Sequence, residues 1–309
     1  MTDRPRSRAW RRFGRNRSAM AAAAVLGAVV LACAGTLPWT GGRVDGQVRY
    51  DLQSTAAILL PPAAACPLGT DDLGRSVLVR LLYGGAISLA IGLTAASLSV
   101  AIGVAYGAIA GWCGGRVDGL MMRVVDVLYG LPYILLVILL KVALEEPLAA
   151  LLGSSRTANI VVLLAAIGSV SWLTMARVVR GQVLSLKARP FIEAARASGA
   201  SGGAMLVRHI LPNLVGPVLV YATLTVPQAI LQESFLSFLG IGVTPPTPTW
   251  GSMAADGIAH YNTIHAYWWL VVFPCAALGL TLLALNYLGD GLRDALDPSG
   301  ESTDVKTQR

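Results

Sequence analysis

Residues able to make or break covalent bonds are few in this chain, and they are scattered. Of three histidines (His209, His260 and His265), none belongs to a His-Glu-x-x-His pair that would hold zinc on one helical face. His260 and His265 have Asp256 nearby but no third His or Cys. Cys33, Cys66, Cys113 and Cys275 lack metal-ligand spacing, so no metal is expected. There is no Gly-x-Ser-x-Gly elbow for a nucleophilic serine. The only lysines are Lys141, Lys187 and Lys306, and none follows a glycine, so the phosphate-cradling loop of an ATPase is absent from the sequence. What remains suits binding and movement. One carboxylate, Glu233, stands in an apolar run with Gln228 and Gln232, Asn286 stands in another, and residues 190–212 form a polar, glycine-containing loop. A carboxylate at membrane depth is costly and faces either a cavity or a polar partner. Glu233 therefore has two readings, a hydrogen-bonded brace between helices or a group lining a path, and Asn286 has the same two.

The elements that must position these groups are membrane helices. The chain has 309 residues, 55% hydrophobic and 13% charged, with a mean hydropathy of +0.62, whereas soluble domains carry about 25% charged residues. Runs close to the ~20 apolar residues needed to cross a bilayer occur at Ala19–Thr36, Ile87–Ala110, Val124–Leu144, Ile160–Val179, Val215–Leu239 and Trp268–Leu288. The expected fold is all-α, a polytopic bundle of six transmembrane helices. Net charge is +7, and its placement matters more than its size. Seven arginines precede residue 18, and Arg177, Arg180, Lys187, Arg189, Arg196 and Arg208 surround the polar loop. The positive-inside rule puts both clusters in the cytoplasm, which six spans satisfy with both termini inside. The N-terminal arginines lack the interleaved aromatics of a nucleic-acid site, and no nucleic acid partner is expected. Residues 1–34 also have the shape of a signal sequence, and Val30-Leu31-Ala32-Cys33 resembles a lipoprotein cleavage box. The segment equally suffices as an uncleaved first span.

Several connections can be read locally. Ser99, Gly103, Gly107 and Gly111 place small residues at four-residue intervals, which lets a neighbouring helix approach closely, either within the bundle or at a subunit interface. Thr70 or Asp71 is expected to cap a short surface helix, with Leu73, Val77, Leu78, Leu81 and Leu82 toward lipid and Arg75 and Arg80 snorkelling outward. Gly114–Asp118 reads as an inner turn, with Arg123 and Asp126 free to pair with each other or to face a partner. Glu145-Glu146-Pro147 should close the third span, with Lys141 snorkelling one turn earlier. The prolines of Thr244–Gly251 predict an extended loop. In residues 190–212, Pro190 suits a first helical turn and Glu193 the positive end of that helix. Gly199 and Gly202-Gly203 permit a reversal, and Pro212 should stop the second helix.

These residues resemble a known family. Glu193-Ala194-Ala195, Gly199 and Leu211-Pro212 have the spacing of the EAA loop of permease subunits in bacterial ABC importers. His209 stands where the broad family has Ile, and Arg208–Asn213 instead resembles the dipeptide, oligopeptide and nickel branch. Cys66–Gly84 is similar to that branch's HPLGTDDLGRD signature, with Cys66 for His and Ser76 for Asp. Glu233–Gly251 and Asn286–Pro298 are similar to its SFLGLGxxPPxPxWG and NLLGDGLRDALDP signatures. The resemblance implies a C-type permease of type I architecture in the bacterial cytoplasmic membrane. It also implies a heterodimer with a related permease, two cytoplasmic ATPases that hold the ATP and Mg, an external substrate-binding protein, and peptide as cargo. The chain itself is then neither an enzyme nor a cofactor carrier. Glu193, Ala194, Ala195, Gly199, His209, Leu211 and Pro212 would form the coupling loop, residues 185–212, within a core of residues 87–291. Residues 1–18, 19–36, 37–86 and 292–309 would be a cytoplasmic basic N-terminal segment, the first span, an external segment and the cytoplasmic tail. An ion-coupled secondary transporter is the alternative. It would need an ion site and often shows inverted repeats, and Glu233 alone supplies little toward either.

Overall fold

The computed structural model describes residues 13–14, 16–261 and 266–296. The main helices are α1 (Arg17–Gly35), α2 (Val77–Cys113), α3 (Gly115–Tyr129), α4 (Tyr133–Leu152), α5 (Ser155–Lys187), α6 (Pro190–Ala197), α7 (Gly202–Met205), α8 (Leu211–Phe238), α9 (Trp250–Ala259) and α10 (Trp269–Leu296). Between α1 and α2 lies a small antiparallel hairpin, β1 (Arg43–Val44) with β2 (Gln47–Val48). Among the described residues, five helical segments are long and apolar enough to cross a membrane, and six if the bent pair α3–α4 counts as one span.

The expected third span straddles this bend. The helix stops at Tyr129, turns through 92° across Gly130–Pro132, and restarts at Tyr133. Leu131 precedes a proline and is pushed out of the helical region, so the break is written into Leu131-Pro132. At its other end α4 runs through Pro147 to Leu152 instead of closing at Glu145–Pro147. Proline is tolerated inside a membrane helix when neighbours and local adjustments satisfy the carbonyl it frees.

A long, close contact joins α2 to α5. A Cβ on Gly103 would lie 2.5 Å from the Met175 Cβ, one on Gly107 would strike the Ala176 carbonyl, and one on Gly111 would lie 2.9 Å from the Arg180 carbonyl. The small-residue stripe thus packs against a helix of the same chain, with Ser99 fully buried above it. Because the backbones are so close, the basic half of α5 reaches the end of α2 and the whole of α3. Lys187 donates to the Trp112 carbonyl at 2.7 Å, a cation at a helix C-terminus. Arg180 grips Asp118 through Nε at 2.5 Å and Nη2 at 2.6 Å. Asp126 pairs with Arg177 at 2.7 Å rather than with Arg123, and Arg177 also lies 4.4 Å from the centre of the Tyr129 ring.

At the opposite end of the bundle the surface helix expected near Thr70 is absent. Residues 66–76 form turns, and α2 begins at Val77, well before Ile87. Arg75 and Arg80 are buried there rather than snorkelling. The Asp71 carboxylate accepts from the Leu73 and Arg75 amides at 3.0 and 2.8 Å and from Arg75 Nε at 2.7 Å, while Arg75 Nη1 reaches Asp51 at 3.1 Å. Burial opposes the Arg75 charge, but Asp71 and Asp51 outweigh it and raise its pKa. Two arginines and their acids bind the segment into a plug over α2, which costs less than leaving either arginine unpaired in an apolar setting. Trp269 Nε1 donates to the Thr70 carbonyl at 3.2 Å and ties the plug to α10.

A side chain at Gly107 would force α2 away from α5. Gly107→Val is expected to destabilise the purified permease by about 1–3 kcal/mol, the range for overpacking. The check is the melting temperature in detergent, which would stay at the wild-type value if the close approach were dispensable.

Candidate functional site

The polar loop is a built element. Pro190 occupies the first position of α6, Glu193 lies in its first turn, and Ile192 is fully buried. Ile192 packs with Met175, Val179, Val183, Met205, Ile210 and Leu214, so α6 is seated where α5 and α8 meet. Phe191, Glu193 and Ala194 are left exposed, and Ala195 is half-buried against the same cluster.

The helix ends in a Schellman motif. The Ala200 amide donates to the Ala195 carbonyl at 3.1 Å and the Gly199 amide to the Arg196 carbonyl at 3.0 Å, with Gly199 at φ +82°. Gly199 alone carries the reversal, since Gly202 and Gly203 lie in the first turn of α7, capped by Ser201. Pro212 does not stop the helix as expected. Residues 206–210 widen into one π turn, in which the Leu211 amide donates to the Leu206 carbonyl, and α8 continues from it with Pro212 in its first turn. The wider turn moves the backbone out of the way of a proline ring that would otherwise clash. The half-buried His209 contributes its carbonyl, which accepts from Asn213 Nδ2 at 2.6 Å. Leu211 is half-buried and Pro212 exposed.

The candidate path residues differ in their settings. Glu233 is 0% exposed, whereas Gln228 and Asn286 lie on exposed faces of α8 and α10. Gln232 accepts from the Ser171 hydroxyl of α5 at 3.0 Å. Glu233 accepts from Ser237 at 2.7 Å and Ser234 at 3.3 Å, with the Ser88 and Thr249 hydroxyls also within reach. Thr249 caps α9 in a reciprocal box with Ser252, and the Trp250 amide donates to Ser88 at 3.3 Å. The carboxylate therefore sits at the positive end of α9 and joins α2, α8 and α9. The expected extended loop gives way to α9 from Trp250 onward, because Thr249 and Ser252 supply a helix start that the preceding prolines obscure. Asp256 lies on α9, and His260 at its end bonds the Asp256 carbonyl through Nδ1 at 2.8 Å and approaches Asp72 at 3.6 Å. His265 lies outside the described residues. Among the described residues no three His, Cys, Asp or Glu side chains form a metal-binding group.

Sequence reasoning overlooked Ile192, the seat of α6, and Asn159, a 2%-exposed amide on α5. A lone polar residue within an apolar run was the available signal for Asn159. Ile192 had none, being one apolar residue among many.

Residues 103–300, which contain the loop, match the profile of the binding-protein-dependent transport system inner membrane component. The chain belongs to this family. Residues 4–62 match the N-terminal TM domain of oligopeptide transport permease C. The chain is 44% identical over 291 residues to the dipeptide transport system permease protein DppC of Bacillus subtilis, covering 94% of this chain and 84% of that protein. It is likewise 44% identical over 290 residues to the oligopeptide transport system permease protein OppC of Escherichia coli K12, covering 93% and 89%. Among solved structures, a chain of the MetNI methionine ABC transporter in an inward-facing conformation aligns with a TM-score of 0.55 at 20% identity, covering 71% of this chain and 96% of that one. That likeness shows the type I permease fold. The permease is thus an ABC importer component, and the ion-coupled alternative is set aside.

We propose that Glu233 is an interhelical brace, because the Ser88 and Thr249 hydroxyls of neighbouring elements lie within its reach. Glu233→Gln, which keeps the shape and loses the charge, is expected to reduce stability by about 0.6–2 kcal/mol, as for other hydrogen bonds between membrane helices. Thermal melts and uptake assays on the same preparation decide the matter. A variant of unchanged stability that no longer transports would assign Glu233 to the path instead.

Proposed function

We propose that this permease moves peptides into the bacterial cytoplasm as one half of a heterodimer with a related permease. Two cytoplasmic ATPases, which hold the ATP and Mg, drive it, and an external binding protein supplies it. The observation that carries the reading is α6: a short helix with a stiff C-terminal cap, seated by Ile192 on the junction of α5 and α8, with Phe191, Glu193 and Ala194 facing outward. Such an element transmits a push. An ATPase groove that closes on α6 would displace the inner ends of α5 and α8 together, and the rigid helices would carry that motion to the opposite end, giving alternating access. Peptide as the cargo rests on the names of the dipeptide and oligopeptide permeases that the chain resembles.

Sidedness follows from charge. Arg177, Arg180 and Lys187 lie at the α6 end of the bundle, and α1 begins beside the far end of α10, where Ala19 meets Gly291. We assign this end, with both chain termini, to the cytoplasm, and the plug and α9 to the outside. Single cysteines replacing the exposed Ser198 and Ala259, in a background lacking Cys33, Cys66, Cys113 and Cys275, should react with impermeant maleimide from opposite faces. Labelling of both from one face would overturn the assignment.

Gly199 tests the coupling role. Its φ of +82° suits glycine, and nothing lies within 4 Å of where a side chain would project. A valine would therefore act through backbone strain of about 1–2 kcal/mol, enough to uncap α6 while the bundle stays intact. Gly199→Val is expected to insert and pair normally, yet to lose substrate-stimulated ATP hydrolysis or release the ATPases. Unchanged coupling in reconstituted vesicles would reduce the loop to a linker.

A further inference from the structure

The apolar helix α4 carries a lysine, Lys141, whose side chain is one-fifth exposed (20%). An ammonium at this depth must reach water or a partner, and Lys141 reaches the chain itself. It donates to the Ile241 carbonyl at 2.8 Å and the Gly242 carbonyl at 3.3 Å, with Glu145 one turn on at 4.0 Å. These carbonyls belong to the residues just beyond α8, where the chain leaves the helix through Gly240 at φ +76°. Asn159, near the start of α5, completes the cage. Its Nδ2 donates to Glu145 at 3.1 Å and to the Gly242 carbonyl at 3.4 Å, and its Oδ1 accepts from the Thr244 amide at 3.1 Å. The Val243 amide turns the other way, toward Ser237 at 3.4 Å beside Glu233. The connection from α8 to α9 is thus held from two sides, by a charged cage on α4 and α5 and by the Glu233 brace.

We propose that Lys141, supported by Glu145 and Asn159, is the positioning residue that keeps the outer end of this permease closed, and that its bonds to residues 241–242 release when the outer end opens. The inference rests on the importer reading above. The two helices that carry α6 at their inner ends, α5 and α8, are the two whose outer ends meet in this cage. Motion that the loop passes to α5 and α8 therefore reaches the turn that Lys141, on α4, holds. A lysine suits a contact that is made and broken. A methionine would fill similar space without burying a charge, but an ammonium can exchange backbone carbonyls for water once the connection lifts. Closure and opening then form one two-state equilibrium, and weakening the cage shifts it toward the outward-open, ATPase-engaged state.

The test uses the assembled importer in proteoliposomes, with trialanine as the transported probe. ATP hydrolysis is measured with and without the binding protein, alongside uptake and melting temperature. Lys141→Met is expected to assemble and to raise hydrolysis without the binding protein by about threefold to tenfold, the shift produced by losing one hydrogen bond of ordinary net strength from the closed state. Uptake per ATP should fall, and Lys141→Arg, which keeps the donors, should return both quantities toward wild type. If Lys141→Met fails to assemble, Glu145→Gln carries the same test with a smaller expected rise. Unchanged hydrolysis without the binding protein in a folded variant overturns the proposal. So does a proportional loss of hydrolysis and uptake that tracks a lower melting temperature. Failure of the importer reading would look different, because the wild-type permease would then bind no ATPases and show no ATP-driven uptake.

Discussion

Gly103, Gly107 and Gly111 bring the α2 backbone against α5 more closely than any side chain would allow, and the rest of the bundle is hung on that contact. Between membrane helices there is no hydrophobic drive of the kind that assembles a soluble core, so affinity comes from close packing and from polar groups that must find partners. The glycines supply the first. The second follows from the register they impose: Arg177, Arg180 and Lys187 fall opposite Asp126, Asp118 and the last carbonyls of α2. One packing choice therefore decides where the α5 terminus lies and, through Ile192, where α6 is presented.

The opposite end follows the same rule by other means. Its chain is irregular, so its backbone groups and ionised side chains must be paired within the protein. Asp71, Arg75 and Asp51 form one such set, and Glu233, Ser237, Ser88 and Thr249 a second. Lys141, Glu145 and Asn159 form the third. Each set joins elements distant in sequence, and the last two converge on residues 237–249. The end that must change shape in a transporter is thus held by polar contacts, which water can replace, while the middle of the bundle is held by packing, which it cannot.

Much of this was legible in one dimension. The six apolar runs, the basic clusters and the turn chemistry at Pro190 and Gly199 are local properties, and each run lies on observed helix, although α2, α5 and α10 extend well past theirs and the third run is broken at Gly130–Pro132. The misreadings share a cause. Arg75 and Arg80 read as snorkelling because an arginine at a span's end has water as its default partner. Asp71 is near in sequence, but Asp51 and Asp256 are brought close only by the fold. Pro147 and Pro212 read as helix ends because proline disfavours helix interiors, yet a membrane setting and a single π turn accommodate them. The break at Gly130–Pro132 was readable from Leu131-Pro132 but was masked by the hydropathy on either side.

By itself the amino-acid sequence determined the class of protein, the apolar runs long enough to span a membrane, the lack of an ATP-binding loop and the presence of a polar loop between two of those runs. Those features depend on composition and on neighbours a few positions apart. Only the tertiary structure decided that Glu233 is buried with the Ser88 and Thr249 hydroxyls within reach, that Gln228 and Asn286 stay exposed, and that Lys141 reaches a turn one hundred residues away. The physical reason is that an isolated apolar helix has no preferred face. Which polar side chain meets which partner is set by helix rotation and register, and these are fixed by close packing with other helices.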